Sequence, residues 1–411
     1  MNIQIDSQYK MHPLRTIYID MNSFFASVEQ HEEPNLRGKP VGITAMEGDI
    51  GCLVAASYEA KYFGVKTTMS IKEAKALCPR IILRPSRHRL YVKYNQHIAK
   101  IFDQYAELEY VRSVDEFQIA LGGKTSNLKI ASKLVQTMKD ALKHEIGESL
   151  KFSAGIGSNH LLAKIAGKLE KPNGMQWLSP DNMPDRLLDI PLEDLPGIGR
   201  GILFKLNSAG IHNVTEIYNL DPKHARKIWG SVIGERFVRL LQGENIPLES
   251  TKRGGYGNSK MLAPENRTLK NAYLVSRWLI EKSVARLRRD NYTASQFALF
   301  LRIQNPQSRW GSSIKTHYSQ DTAHFLDINR KLWRTMYIQK HPHLISSISI
   351  QLGNILPLPK RSGEMLLPME MAKKNERERL ARTIDTINKR FGASTVTYGI
   401  NKAHNGFFER G

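Results

Sequence analysis

Ile17-Tyr18-Ile19-Asp20-Met21 and Arg112-Ser113-Val114-Asp115-Glu116-Phe117 are the two stretches whose reading decides the fold. Each sets carboxylates on an apolar, β-prone segment. An uncompensated carboxylate in or beside a hydrophobic strand is costly unless a cation or a donor network offsets it. Three such acids resemble a divalent-metal cage built at strand ends, and hard oxygen ligands of this kind suit Mg²⁺. Adjacent residues of a regular strand point to opposite faces, so Asp115 and Glu116 share one site only at a hairpin tip or bulge. The spacing therefore predicts a local irregularity there. From these residues alone a second reading stands beside the first: Asp20 caps a helix starting near Asn22, and Asp115-Glu116 form a solvated turn.

The whole chain narrows the class. At 411 residues it has the length for roughly two to four domains with real cores. Sixty Lys and Arg against 39 Asp and Glu give a net charge of +21 and a pI near 9.8, which favours a polyanionic partner, nucleic acid or an anionic membrane surface. No apolar run approaches the roughly 18 residues of a transmembrane helix, and the polar start, Met1 to Lys10, has no secretory core. A cytoplasmic protein without a membrane partner is expected. Cys52 and Cys78 lack C-x-x-C spacing, so neither a disulfide framework nor a zinc site is indicated.

Along the chain, an apolar strand at Thr16 to Ile19 runs into a helical stretch from Ser23 to Glu29. A compact unit follows from Arg37 to Pro85, then strands at Glu109 to Val114 and Phe117 to Leu121, an amphipathic helix at Leu128 to Leu142, and a strand-turn-helix at Phe152 to Lys168. This order suggests an α+β sheet domain with a small insertion. Prolines 180, 184, 191 and 196 open a helical region. Within it, Leu195-Pro196-Gly197-Ile198-Gly199-Arg200-Gly201 between two apolar helices forms a helix-hairpin-helix pattern, whose backbone N–H groups and helix N-terminus can hold a phosphate; a plain connector is the other reading. Residues 249–258 read as a linker. From Thr251 to Asp290 ten Lys and Arg stand against three acids, which suits a second DNA-gripping domain, although a solvated basic helix face gives the same count. The final stretch is polar, with a charged helix from Lys374 to Arg390.

Taken together, residues 17–29, Tyr58-Glu59-Ala60-Lys61-Tyr62-Phe63-Gly64-Val65, Ser113-Val114-Asp115-Glu116, and Gly155-Ile156-Gly157-Ser158-Asn159 through Lys171-Pro172-Asn173-Gly174 resemble, in order, the motifs of Y-family translesion DNA polymerases, in their bacterial UmuC-like/DinB-like branch. The resemblance covers roughly residues 13 to 355. It implies an α+β right-hand polymerase with a palm (13–26 and 86–180), small fingers (27–85), a helical thumb with the helix-hairpin-helix (181–248), a linker (249–258), an α/β little finger (259–357) and a C-terminal tail with a charged helix (358–411).

The resemblance also implies roles. Asp20 and Asp115 bridge two Mg²⁺ ions, Glu116 ligates the catalytic one, and the Met21 carbonyl completes a site, with Mn²⁺ able to substitute. Phe24, Phe25, Tyr58, Lys61 and Lys171 form the nucleotide site. Phe25 is the steric gate against a 2′-hydroxyl, while one of the two phenylalanines belongs to the core. Primer-template DNA is expected at Gly197, Gly199, Arg200, Gly201, Lys260, Arg267 and Arg302. The implied function is low-fidelity, template-directed synthesis past damaged bases by a monomer using dNTPs. A non-catalytic DNA-binding accessory protein is the alternative. The sequence departs from the family's pattern at three places, one of them Phe117-Gln118-Ile119-Ala120-Leu121, which lacks the acidic residue often found downstream of the pair. Lys61 stands where Arg is usual and cannot make a bidentate fork. Thr67-Thr68-Met69 replaces a stretch that usually carries Gly in the middle. A sliding-clamp peptide is expected beyond the little finger, where Glu364-Met365-Leu366-Leu367-Pro368-Met369 matches poorly.

Overall fold

The computed structural model describes residues 12–45, 51–248, 253–305, 307–360, 368–392 and 395–402. The chain forms two compact units that divide between Leu248 and Glu249.

The first unit begins with β1 (Thr16–Met21), which runs directly into α1 (Phe24–Glu32). β2 (Val41–Thr44), β3 (Leu53–Ala56), α2 (Tyr58–Tyr62), α3 (Ile71–Leu77) and β4 (Ile82–Pro85) make a small subassembly around a three-stranded sheet of order β3-β2-β4. The chain then gives α4 (His88–Asp103), β5 (Leu108–Val111), β6 (Glu116–Ala120), α5 (Leu128–Glu145), β7 (Phe152–Gly157), α6 (His160–Leu169) and β8 (Met175–Leu178). Their strands form a five-stranded sheet of order β5-β6-β1-β7-β8 with β1 at its centre. The apolar run of β1 is buried nearly throughout because both faces are covered. On one face Ile17, Ile19, Phe117, Ile119 and Phe152 join Phe102, Val135 and Met138 of α4 and α5 in the core.

The other face is set by glycine. A Cβ built on Gly155 would lie 2.0 Å from the Ala163 carbonyl oxygen and 2.2 Å from the Gly167 nitrogen, and one on Gly157 would lie 2.3 Å from the Ala163 nitrogen. Backbone therefore packs on backbone where α6 crosses β7. The opposite side of α6 contributes Leu161, Leu162 and Ile165 to an apolar core shared with α7 (Arg200–Ser208), α8 (Val214–Tyr218), α9 (Pro222–Trp229) and α10 (Val232–Leu241). Asn159 caps α6 through Leu162 N–H and ties it to α10 by donating to the carbonyls of Leu240 (2.7 Å) and Glu244 (2.9 Å).

In the second unit β9 (Gly255–Met261), β10 (Tyr292–Asn305), β11 (Ser308–Ser319) and β12 (Leu344–Pro357) form an antiparallel sheet of order β11-β10-β12-β9. α11 (Leu269–Arg289) and α12 (Thr322–Lys340) cover one face, and α13 (Pro368–Phe391) follows. Two boundaries expected from sequence are corrected here. Residues 255–258 belong to β9, because glycines at 255 and 257 fit against β12, with a Cβ at either lying under 3 Å from its backbone. The stretch from 368 is no free tail. Arg288, nearly buried, forks onto Asp385 of α13 at 2.6 and 2.8 Å and also donates to the Gln320 carbonyl and the Thr322 hydroxyl. Residues 395–402 then lie along α11, where Arg277 reaches the Tyr398 and Ile400 carbonyls and Asn401 donates to Glu281. The expected clamp peptide lies outside the described residues at 364–367.

Because the seam between β7 and α6 leaves no room for a methyl group, Gly155→Ala should lower stability by about 3 kcal/mol, at the upper end of overpacking costs. Urea unfolding of the whole chain measures it, and an unchanged midpoint would contradict the seam.

Candidate active site

The three acids meet at one end of the central strand pair. Asp20 of β1 lies directly opposite Glu116 of β6, so their side chains leave the same face of the sheet. Asp115 precedes β6 in the turn of the β5–β6 hairpin, where the Arg112 and Ser113 N–H groups both donate to the Glu116 carbonyl. This is the irregularity the sequence spacing required. The Asp115 carbonyl accepts from Met21 N–H at 2.9 Å, so the turn is stitched to the end of β1. The helix-capping alternative for Asp20 is not what forms. Ser23 holds the cap position of α1 in a left-handed conformation (φ 47°), with no side-chain cap bond.

Each acid has a different electrostatic setting. Asp20 pairs with Lys171 at 2.6 Å. Glu116 pairs with Lys164 at 2.7 Å, and Lys164 also donates to the Tyr18 hydroxyl at 2.9 Å. Burial pushes the Glu116 carboxyl up, but the hydrogen bond and charge of Lys164 outweigh it and hold the group below the usual glutamate value. Lys164 is held above the ordinary lysine value for the reciprocal reason, against its own burial, and burial pushes the Tyr18 phenol up to about 12. Among the described residues, no Lys or Arg pairs with Asp115. Burial pushes its carboxyl up, Asp20 and Glu116 add to that, and the 2.5 Å hydrogen bond from Ser113 opposes it.

Among the described residues, no three His, Cys, Asp or Glu side chains are gathered closely enough to bind a metal ion as they stand. Two of the three acids are instead engaged by lysines. The donor set still fits a divalent cation, being hard oxygens on one sheet end with an excess of buried negative charge concentrated at Asp115.

The residues expected at the nucleotide site fall around this end of the sheet. Lys61 donates to the Ser23 hydroxyl at 2.8 Å, and its ammonium lies 4.4 Å from the centre of the Tyr58 ring. Burial, then Lys171, lowers the Lys61 pKa, with Asp20 opposing. Burial, then Asp20, raises that of Tyr58. Tyr58, Lys61 and Lys171 are thus within electrostatic reach of Asp20. Phe24 is corrected from a nucleotide contact to a core residue, being buried among Val28, Tyr91 and Phe152. Phe25 is half-exposed. Thr68 occupies a left-handed conformation (φ 71°), which a β-branched residue adopts only under constraint.

The expected DNA contacts divide. Gly197 turns at φ 96°, and Gly199 caps α7 without a side-chain bond, leaving Arg200 and Gly201 exposed. The element before them is a short 3-10 turn, Leu192–Asp194, rather than the full helix the sequence pattern suggested. Arg302 is exposed on β10 between the buried Leu301 and Ile303, on the face turned away from α11 and α12. Lys260 is corrected. It alternates with Tyr256 and Asn258 on the helix-covered face, where burial and Lys282 lower its pKa to about 8. Arg267 spends its guanidinium within the unit, on the Leu262 carbonyl and Gln304.

Two residues with a part in the site escaped the sequence reading. Lys164 is one, and its signal was the spacing of Lys164 and Lys168 on one face of a helix that follows a glycine-rich strand. Asn22 is the other. Buried at the end of β1, it donates to Ser153 and accepts from Asn173 N–H at 2.7 Å, anchoring the turn that carries Lys171.

Comparison with known proteins agrees with this arrangement. The chain matches the impB/mucB/samB family over residues 19–168 and that family's C-terminal domain over residues 253–365. DNA polymerase IV of Neisseria meningitidis serogroup C is 32% identical over 293 residues, 71% of this chain and 82% of the relative. The chain belongs to the Y-family of DNA polymerases. It is, with them, a DNA-directed DNA polymerase. DNA polymerase IV of Bacteroides fragilis is 28% identical over 83% of this chain and 93% of its own length, in keeping with the DinB-like branch of the Y-family. Among solved structures, a chimera of the Y-family polymerases Dbh and Dpo4 superposes with a TM-score of 0.70 at 23% identity, over 84% of this chain and 99% of the chimera. DinB from Sulfolobus solfataricus gives 0.53 at 24% identity. The mixed α+β fold is that of these polymerases.

The raised pKa of Asp115 means that its charged form is disfavoured in the fold. That penalty is present above the folded-state pKa and is relieved as pH falls below it. Asp115→Asn should therefore raise the unfolding midpoint of the metal-free polymerase at pH 7 by roughly 2 °C or more. Added Mg²⁺ or Mn²⁺ should stabilise the native chain by binding only the folded state, and should not stabilise the variant. Thermal unfolding with and without the ions checks both.

Proposed function

We propose that this polymerase extends a primer 3′-hydroxyl with deoxynucleoside triphosphates by a two-Mg²⁺ mechanism, and that it does so with low fidelity past damaged template bases. The observation that carries the reading is the register that sets Asp20 opposite Glu116, with Asp115 stitched to Met21 beside them. Asp20, Asp115 and Glu116, with the Met21 carbonyl, would hold the two ions. Bound there, the ions supply charge neutralisation at the α-phosphate and a lowered pKa for the primer hydroxyl.

The chain's own residues do the rest. Lys61, Tyr58 and Lys171 hold the triphosphate, with Lys61 as a point charge rather than a guanidinium fork. Phe25 lies under the sugar and bars a 2′-hydroxyl. The subassembly of β2–β4, α2 and α3 is small, with Thr68 on its floor, so few contacts reject a wrong pair. Pocket differences of about a methylene are worth only ~1–3 kcal/mol in the best case. The backbone N–H groups ahead of α7 hold template or primer phosphates, and the open face of the second unit's sheet, with Arg302, lies along the duplex. The related polymerases solved as an insertion ternary complex and a post-insertion binary complex support primer-template DNA and a nucleotide as partners. A cytoplasmic location, with the chain acting as a monomer, accords with this role. Among the described residues no helix is long and apolar enough to cross a membrane.

Extension of a labelled primer with Mg²⁺ and single dNTPs tests the reading. The native chain should add both paired and mispaired nucleotides. Asp115→Ala and Glu116→Ala should each lower the rate at least ~10³-fold, on the scale of lost charge stabilisation at the transition state, with primer-template affinity unchanged. Normal extension by either variant would remove the carboxylates from the mechanism.

A further inference from the structure

Phe25 does not meet the sugar site alone. Its ring stacks on Tyr91 with centroids 4.1 Å apart and planes 15° from parallel, whereas Phe24 and His88 touch it at steep angles from 5.9 and 5.8 Å. Tyr91 is fully buried, and its hydroxyl donates to Glu29 at 2.7 Å. Glu29, 1% exposed, also accepts Arg87 Nε at 3.0 Å on that same oxygen, while the second carboxylate oxygen takes another guanidinium nitrogen of Arg87. Phe25 and Glu29 are four residues apart on α1. Arg87 and Tyr91 are four apart at the start of α4, so two helix faces clasp each other through one stack and one carboxylate.

A buried carboxylate is a poor way to join two helices when apolar side chains would fill the same seam. What this one adds is direction. It fixes the Tyr91 ring about its own axis and thereby fixes the plane on which Phe25 rests. We infer that Tyr91, held by Glu29 and Arg87, is a positioning residue for sugar selection, setting the height and tilt of the Phe25 ring that excludes a 2′-hydroxyl. The inference rests on the reading of Phe25 as the gate. None of the three residues belongs to the carboxylate set or to the triphosphate-binding trio, so altering them changes the gate and leaves the chemistry in place.

The test compares kcat/KM for dCTP and CTP opposite a template guanine in the full-length chain, for Phe25→Ala, Tyr91→Leu, Tyr91→Phe and Glu29→Gln. Phe25→Ala should abolish discrimination. Tyr91→Leu should lose at least ~10-fold of it through faster CTP use, with dCTP use held within about threefold, in the range a single pocket contact commands. Tyr91→Phe and Glu29→Gln keep the stack but lose the anchor, and should fall between. If Phe25→Ala loses selectivity while both Tyr91 variants keep it, the gate stands and the positioning role is overturned. If Phe25→Ala keeps it, gate and positioning role fall together. A merely structural Tyr91 would lower dCTP and CTP use alike, leaving their ratio unchanged, and that result also overturns the proposal. Should Tyr91→Leu not fold, the nearly isosteric Tyr91→Phe decides alone.

Discussion

The contact on which the rest of the catalytic unit depends is the seam where α6 lies backbone to backbone on β7. Gly155 and Gly157 remove the strand's Cβ atoms from that crossing, and a Cβ on Gly167, from the helix side, would lie 3.1 Å from the Gly155 nitrogen. The helix consequently sits low enough for Lys164 to reach Glu116 and Tyr18, while the turn that follows delivers Lys171 to Asp20. The same helix turns its apolar side, Leu161, Leu162 and Ile165, to the core built with α7–α10. One close approach therefore sets both the charge balance of the acids and the attachment of the helical region.

That balance explains how three carboxylates persist at the end of an apolar strand pair. Two are neutralised by lysines brought in from α6 and its following turn, and the third relies on a hydroxyl donor. The lysines are not rigid ligands but long, flexible counter-charges, and Lys164 already has a second partner in the Tyr18 hydroxyl. A site built this way tolerates its own charge in the absence of ions without being closed to them. The cost stays concentrated on Asp115, which, unlike Asp20 and Glu116, has no lysine paired with it among the described residues.

Much of this was legible in the sequence where chemistry and local pattern coincide. The acids announced themselves because carboxylates are out of place on β-branched strands, and the adjacent pair Asp115-Glu116 required a hairpin irregularity that the fold contains. Features that depend on which face a residue occupies were not legible. Lys260 counts as a basic residue wherever it lies in the strand, yet alternation puts it beneath α11. Arg267 turns inward to the Leu262 carbonyl and to Gln304, and the glutamine is near it in space only. Lys164 and Asn22 are polar residues whose partners lie 48 and 151 positions away, and no local periodicity encodes such a distance. The linker estimate overran because glycines that read as flexibility are, at 255 and 257, the condition for a strand to lie close against β12.

The docking of α13 has a consequence for how this polypeptide can be divided. The sheet of the second unit ends with β12, and an apolar-core criterion alone would draw the boundary near residue 357. Yet Arg288 projects from the middle layer of that unit, and its counter-charge Asp385 belongs to α13. Glu378 of the same helix accepts from the Gln320 N–H, and residues 395–402 cap the outer side of α11. A fragment stopped at the last strand would keep the cation and discard its anion, so a self-sufficient second unit extends past residue 400.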